Sequence, residues 1–165
     1  AKALGHRTVL VFATRGEHGE PVEGVLDEGE QLTLRRTAEC YEAARVIGAE
    51  RVEFLGYVDS GMAGTPTAEA PWAFAQANVE RAAGRLALIL GEEAADVLTI
   101  YDDNGGYGHP DHFQVHRVGT LAAELIGLEQ VFQSTMNRTA IAESFKRYAE
   151  EADELPDGVN PEGLM

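Results

Sequence analysis

Asp96-Val97-Leu98-Thr99-Ile100 runs into Tyr101-Asp102-Asp103-Asn104-Gly105-Gly106-Tyr107-Gly108-His109-Pro110-Asp111-His112, then through Phe113-Gln114-Val115 to His116. The first five residues have the strongest strand character in the chain. The residues after Pro110 place Val115, Val118, Leu121, Ala122 and Leu125 at helical spacing up to Gly127. A strand, a glycine-rich loop and a helix start carrying His and Asp form the part of an open α/β sheet where ligands collect, at the carboxyl end of the strand. Pro110 suits the first helical position, where its missing N–H costs nothing. His109 then falls near the N-cap and His112 one turn in. His112 and His116 are four apart and share a helix face. Neutral imidazole is the commonest protein metal ligand. The residues alone leave two readings open: a metal or catalytic site, or a His-rich helix start with Asp111 set against the helix dipole.

Outward from this stretch, apolar runs alternate with helical periodicity. Thr8–Ala13 reads as a strand buried on both faces, as in a parallel sheet. Residues 1–4 read as the end of a helix closed by Gly5, so the chain is expected to begin inside an element. A loop from Thr14 to Gly29 exceeds the roughly 12–15 residues usual for an unstructured connection, which favours a functional loop. Helices are predicted over Glu30–Ile47 and Pro71–Leu90, strands over Arg51–Leu55 and Glu129–Thr135. A last helix is expected from Arg138 to about Glu151, capped by Asn137. The first helix should pack Leu34, Ala38, Tyr41 and Arg45 along one face, with Ala43, Ala44 and Ile47 adding contacts. Trp72 and Phe74 are expected in packing, and Cys40 as a small buried hydrophobe. Strands alternating with helices mean βαβ units and an α/β, Rossmann-like, doubly wound and mostly parallel three-layer sheet. One domain is expected over 1–152, followed by an acidic Pro/Gly tail, 153–165, as loop or disorder.

Composition narrows the function. With 13 basic and 28 acidic residues the net charge is -15, which argues against nucleic acid and against an anionic membrane surface. One cysteine excludes a disulfide within the chain and suits a reducing cytoplasm. No apolar run approaches the ~20 residues of a membrane span. No G-x-G-x-x-G follows a strand, which disfavours a dinucleotide cofactor. Ser60 lacks a G-x-S-x-G elbow, which rejects a serine hydrolase. Asp59, just past a strand end, suits either a sugar's hydroxyls or an Asx-turn.

Asn104-Gly105-Gly106-Tyr107-Gly108-His109-Pro110-Asp111-His112 resembles the second signature motif of the PIG-L/LmbE zinc-dependent N-deacetylases, a family that includes deacetylases and amidases of mycothiol metabolism. Thr14-Arg15-Gly16-Glu17, Arg36-Thr37-Ala38-Glu39 and Leu55-Gly56-Tyr57-Val58-Asp59-Ser60-Gly61-Met62 fall where that family has similar segments. The resemblance implies His112 as a zinc ligand and His109 as transition-state acid or electrostatic stabiliser. It implies Asp111 orienting a histidine and Tyr107 polarising the scissile carbonyl, with Arg36 and Asp59 on the sugar. It implies Zn2+ (or another divalent metal such as Fe2+) and a small-molecule N-acetylglucosaminide or related amino-sugar conjugate as substrate; a homo-oligomer is compatible with the sequence. The family's first motif, an Ala-His-Pro-Asp-Asp-type turn carrying two zinc ligands and the general base, is expected upstream of Ala1. The chain's single His-Pro-Asp lies at 109–111, so these residues alone are expected to be inactive. Two rival expectations stand beside this one. One is a truncated or degenerate, non-catalytic homologue keeping a sugar-binding or interaction surface. The other is an independent metal site from His109, His112 and His116.

Overall fold

Four short strands alternate with helices in the computed structural model, which describes residues 2–135 and, beyond them, 137, 139, 140, 143, 144 and 147. Strand β1 is Val9–Phe12, followed by helix α1, Leu32–Ile47, and strand β2, Arg51–Phe54. Then come helix α2 (Val79–Glu92), strand β3 (Leu98–Tyr101), a single turn α3 (Gly105–Gly108), helix α4 (Pro110–Ile126) and strand β4 (Val131–Ser134). The expected α/β, Rossmann-like class is the one observed. β1 and β2 run parallel, with Val9 opposite Arg51 and Phe12 opposite Phe54. β3 pairs with β4, so the described strands form two pairs. Contacts divide the chain into two units, residues 1–133 and 134–165. In the second unit the Ala140 N–H donates to the Asn137 side chain at 3.0 Å, the expected cap. The expected helix end at Glu151 and the domain boundary at 152–153 lie outside the described residues.

Gly48 and Gly127, both left-handed, close α1 and α4 where the sequence places their ends. The expected helix over Pro71–Leu90 is corrected. Its first part is irregular, with a 3₁₀ turn at Phe74–Gln76, and α2 starts only at Val79. Two bonds explain this. The Phe74 N–H donates to the Val58 carbonyl at 2.9 Å, holding 73–74 against the loop after β2. Asn78 then caps α2, accepting from the Arg81 N–H at 2.8 Å.

The core lies between α2 and α4. Phe74, Ala82, Ala83, Leu86 and Leu90 pack against Val118 and Ala122. Small residues let the elements approach closely: a Cβ on Gly119 would stand 2.6 Å from Ile100 Cγ2 of β3. The expected faces of α1 and β1 differ from those observed. Every β1 residue is half-buried, and of α1 only Ala44 is buried. Leu34, Tyr41 and Ile47 are exposed, because the core forms under α2 and α4. Cys40 is half-buried, and burial pushes its thiol pKa up. Trp72 is half exposed, while Phe74 is fully buried.

At the amino ends of β1 and β2, ion pairs tie both strands to the end of α2. Arg7 meets Glu50 at 2.8 Å and Glu93 at 2.5 Å. Arg51 meets Glu92 and Glu93, each at 2.9 Å. Two carboxylates at a helix carboxyl end oppose its dipole, and the arginines offset that. Hydrogen bonds from Arg7 and Arg51 hold the Glu93 carboxyl down at about 2, from an ordinary 4.5. A depressed carboxyl stabilises the fold above its unfolded pKa, and this is lost as pH falls through the folded one. Urea denaturation from pH 5 to pH 2 should therefore show stability falling across this window in the wild type. Glu93→Gln should lower stability at neutral pH and flatten that fall; an unchanged profile would show that the network contributes nothing.

Candidate active site

The site forms where the loops after β1, β2 and β3 meet at the carboxyl ends of the strands. Hydrogen bonds run through all three. The Glu17 carboxylate accepts from the Arg15 N–H at 3.1 Å and the Asp59 N–H at 3.0 Å. The Asp59 carboxylate accepts in turn from the His18 N–H at 3.1 Å and from the Gly61 N–H at 2.9 Å, the second closing an Asx-turn. Next in sequence, Ser60 is fully buried. Its N–H donates to Asp111 Oδ2 at 3.2 Å, its hydroxyl donates to Asp111 Oδ1, and its Oγ accepts from the Ala75 N–H at 2.9 Å. One serine thus joins the β2 loop, the 71–77 segment and the start of α4.

Each functional candidate on α4 is placed by a local rule. His109 is the N-cap residue and Pro110 opens the helix. The His109 Nδ1 accepts from the Asp111 N–H at 3.1 Å, so in the neutral ring the proton sits on Nε2. The His112 Nδ1 lies 3.2 Å from the Gly105 carbonyl. A carbonyl only accepts, so this nitrogen carries the proton and Nε2 keeps its lone pair. The rings lie 4.9 Å apart. Two adjacent imidazoles are therefore held in opposite tautomers by the backbone.

Tyr101 stacks flat on His112, with ring centroids 3.7 Å apart and 7° between planes. Burial lowers the His112 pKa, favouring the neutral ring, against the raising effect of the Gly105 bond. Gly105 is required for this close fit: its φ is +61°, and a Cβ there would stand 3.0 Å from the Phe113 nitrogen. Asp102, buried, accepts the Gly106 N–H at 2.8 Å and folds the glycine turn. Tyr107 is exposed on the rim, its ring edge-on to His109 and His112 at 5.9 and 5.1 Å.

The Asp111 carboxylate is directed at Ser60, and it is the Asp111 main-chain amide that contacts His109. Burial, first, and the nearby Asp59 charge raise its carboxyl pKa, opposed by the Ser60 bonds and the His109 charge. Asp59 is buried and held by two main-chain donors. Arg36, on α1, pairs with Glu39 at 3.2 Å in an exposed i,i+3 bridge. Its Nε would lie 3.4 Å from a Cβ on Gly16, which puts the guanidinium against the loop after β1. His116 shares the face of His112, and its Nδ1 lies 3.1 Å from the Tyr101 carbonyl.

Sequence reasoning missed Tyr101, Asp102 and the Ser60–Asp111 bond. Tyr101 and Asp102 could have been found as the residues ending β3, beside the histidines. Among the described residues no three His, Cys, Asp or Glu side chains converge to hold a metal. The Nε2 lone pair of a neutral, half-buried His112 fits one place in a zinc ligand set. The described donors do not complete such a set.

Loops gathered at the carboxyl ends of strands around a fixed pair of imidazoles place the chain among Rossmann-like α/β proteins. The family model described as "PIG-L: GlcNAc-PI de-N-acetylase" matches residues 1–123, and the chain belongs to the PIG-L family. It is similar to a 1D-myo-inositol 2-acetamido-2-deoxy-alpha-D-glucopyranoside deacetylase of Acidothermus cellulolyticus, 39% identical over 87% of this chain and 53% of the relative. A deacetylase 1 of the same description from Catenulispora acidiphila is 35% identical over 92% of this chain and 54% of the relative. The Thermobifida fusca deacetylase is 44% identical over 70% of this chain and 44% of its own length. The chain thus spans about half the length of the curated relatives it matches. Among the described residues no helix is long and apolar enough to cross a membrane.

Proposed function

We propose that this chain carries part of the active site of a zinc-dependent hydrolase that removes an acetyl group from an N-acetylglucosaminide or related amino-sugar conjugate. The observation that carries this reading is the pair of backbone contacts, the Asp111 N–H on His109 Nδ1 and the Gly105 carbonyl on His112 Nδ1. The His109 Nε2–H is a donor for the oxygen of an amide carbonyl as negative charge develops on it. The His112 Nε2 offers a lone pair to a cation. Zinc, when bound with further ligands from outside the described residues, would polarise the carbonyl and activate water. Tyr107, on the rim, closes over the acyl group and adds a hydroxyl. Asp111 acts through structure: its amide fixes the His109 tautomer while its carboxylate, locked on Ser60, fixes the helix start.

Arg36 and Asp59 hold the sugar. Asp59 keeps acceptor capacity beyond its two main-chain bonds, since a carboxylate offers about four lone-pair sites. Relatives named as deacetylases of a 1D-myo-inositol 2-acetamido-2-deoxy-glucopyranoside support an N-acetylglucosaminyl inositol as the first substrate to test. The test is release of free amine from that substrate by a metal-loaded preparation at the full length of the relatives. Absence of amine release from every N-acetylglucosaminide tried would remove the reading. It would favour a non-catalytic, sugar-binding homologue.

In an active preparation, Asp59→Ala and Arg36→Ala should raise KM or lower kcat/KM with metal content unchanged. Loss of the metal in Asp59→Ala would move that residue to the metal. Unchanged kinetics in both would leave Asp59 as a loop clasp and Arg36 as a partner of Glu39.

A further inference from the structure

A cleft beside Trp72 plays no part in the reaction proposed above. Its volume is about 280 Å³, and its polar and aromatic walls are Tyr57, Trp72, Asn78, Arg81 and Arg85. No acidic residue lines it, in a chain with 28 acidic and 13 basic residues. Elsewhere in the fold Arg7, Arg35, Arg36, Arg45 and Arg51 each hold a carboxylate within ion-pair distance. Among the described residues neither Arg81 nor Arg85 has one.

The two arginines are four apart on α2 and so project from one helix face. Arg85 is fixed in place: its Nη1 donates to the Leu55 carbonyl at 2.8 Å, and its guanidinium lies 5.1 Å from the centre of the Tyr57 ring. Arg81 is in the first turn, where the Asn78 side chain caps its N–H, and no group among the described residues engages its guanidinium. The positive end of the α2 dipole adds to the same field. One guanidinium fork satisfies a planar carboxylate. Two forks delivering donors from different directions suit a tetrahedral oxyanion. Trp72, half exposed, offers a flat apolar wall for whatever carries that anion.

We propose that this cleft binds the phosphate group of a small phosphate ester, with the carrier against Trp72. The proposal is independent of the deacetylase reading, and its test needs no turnover. Trp72 is the chain's one tryptophan, and its ring also lies 5.6 Å from that of His18, so loss of an emission change in an Arg81 variant is what assigns that change to the cleft. The full chain is titrated at constant ionic strength with inorganic phosphate, glucose 1-phosphate and, as a neutral control, glucose. Saturable changes are expected for both phosphates, tighter for the ester, with none for the neutral sugar. Arg81→Gln removes no hydrogen bond made by that side chain, so circular dichroism should be unchanged. It should weaken glucose 1-phosphate binding about tenfold, the loss of one charge-assisted contact. Arg117→Gln, on α4 and outside the cleft, should bind as the wild type does. No saturable change with either phosphate, an equal response in Arg81→Gln, or an equal response to the neutral sugar would overturn the anion site. An ester that binds no tighter than inorganic phosphate would overturn the place given to Trp72.

Discussion

Replacing His109 with alanine should leave metal bound and remove most of the turnover, whereas replacing His112 should remove the metal itself. The two residues are three apart on one turn, with rings 4.9 Å apart, so proximity does not divide their roles. Their hydrogen bonds do. His109 spends Nδ1 as an acceptor on the Asp111 N–H, which leaves Nε2 as a donor. A nitrogen that carries a proton cannot coordinate a metal. To become a ligand through Nε2, His109 would have to move the proton to Nδ1 and lose its cap bond at the start of α4. His112 spends Nδ1 as a donor on the Gly105 carbonyl, and Tyr101 holds its ring flat. Its Nε2 already has the free lone pair that a ligand needs. Removing one positioned donor to a developing oxyanion costs roughly 10²–10³ in kcat, so His109→Ala should fall by that order. Metal content and deacetylation rate, measured on both variants of an active preparation, decide it. Equal metal loss in the two would show that both rings coordinate and that the division is wrong.

This pair was legible in the sequence because its signals are local. His109 at the cap, Pro110 at the first helical position and Gly127 past the end need only neighbours a few residues away. Gly105-Gly106-Tyr107-Gly108 marked a tight turn for the same reason. What was not legible depends on distant partners. Pro71–Asn78 has helical composition, yet Val58 holds Phe74 by a main-chain bond and Asn78 resets the helix start. Ser60 lacks every nucleophile signature, and its place in the site rests on Asp111, 51 residues further on. Arg36 and Glu39 sit one helical turn apart and pair as helix neighbours do, while their position against Gly16 follows from how α1 crosses the loop after β1. The exposed face of α1 came from the same source. Periodicity identifies an apolar stripe, but the larger core under α2 and α4 determines which stripes are covered.

The 165-residue chain, purified alone, should bind zinc far below one ion per molecule and should release no amine from an N-acetylglucosaminide. Catalytic zinc sites use about three protein ligands and keep a position for water. His112 would supply one. His116 is four residues on, and its Nδ1 also lies against a carbonyl, that of Tyr101, which in a neutral ring leaves the lone pair on Nε2. Even both together fall short of three, and no third His, Cys, Asp or Glu among the described residues converges with them. His109 could make up the number only by giving up its bond to the Asp111 N–H, leaving a helix start with one amide fewer satisfied. That cap is worth ~0.5–2 kcal/mol, so the three-histidine arrangement opposes the fold that presents it. Dialysis against a zinc-buffered solution, followed by metal analysis, measures the outcome. A preparation extended to the full length of the relatives should take up one zinc and gain activity together. His112→Ala in that longer form should lose both. If the 165-residue chain instead retains one zinc per molecule, and His109→Ala and His116→Ala each abolish it, then the three histidines form the site and the assignment of His109 to the oxyanion fails.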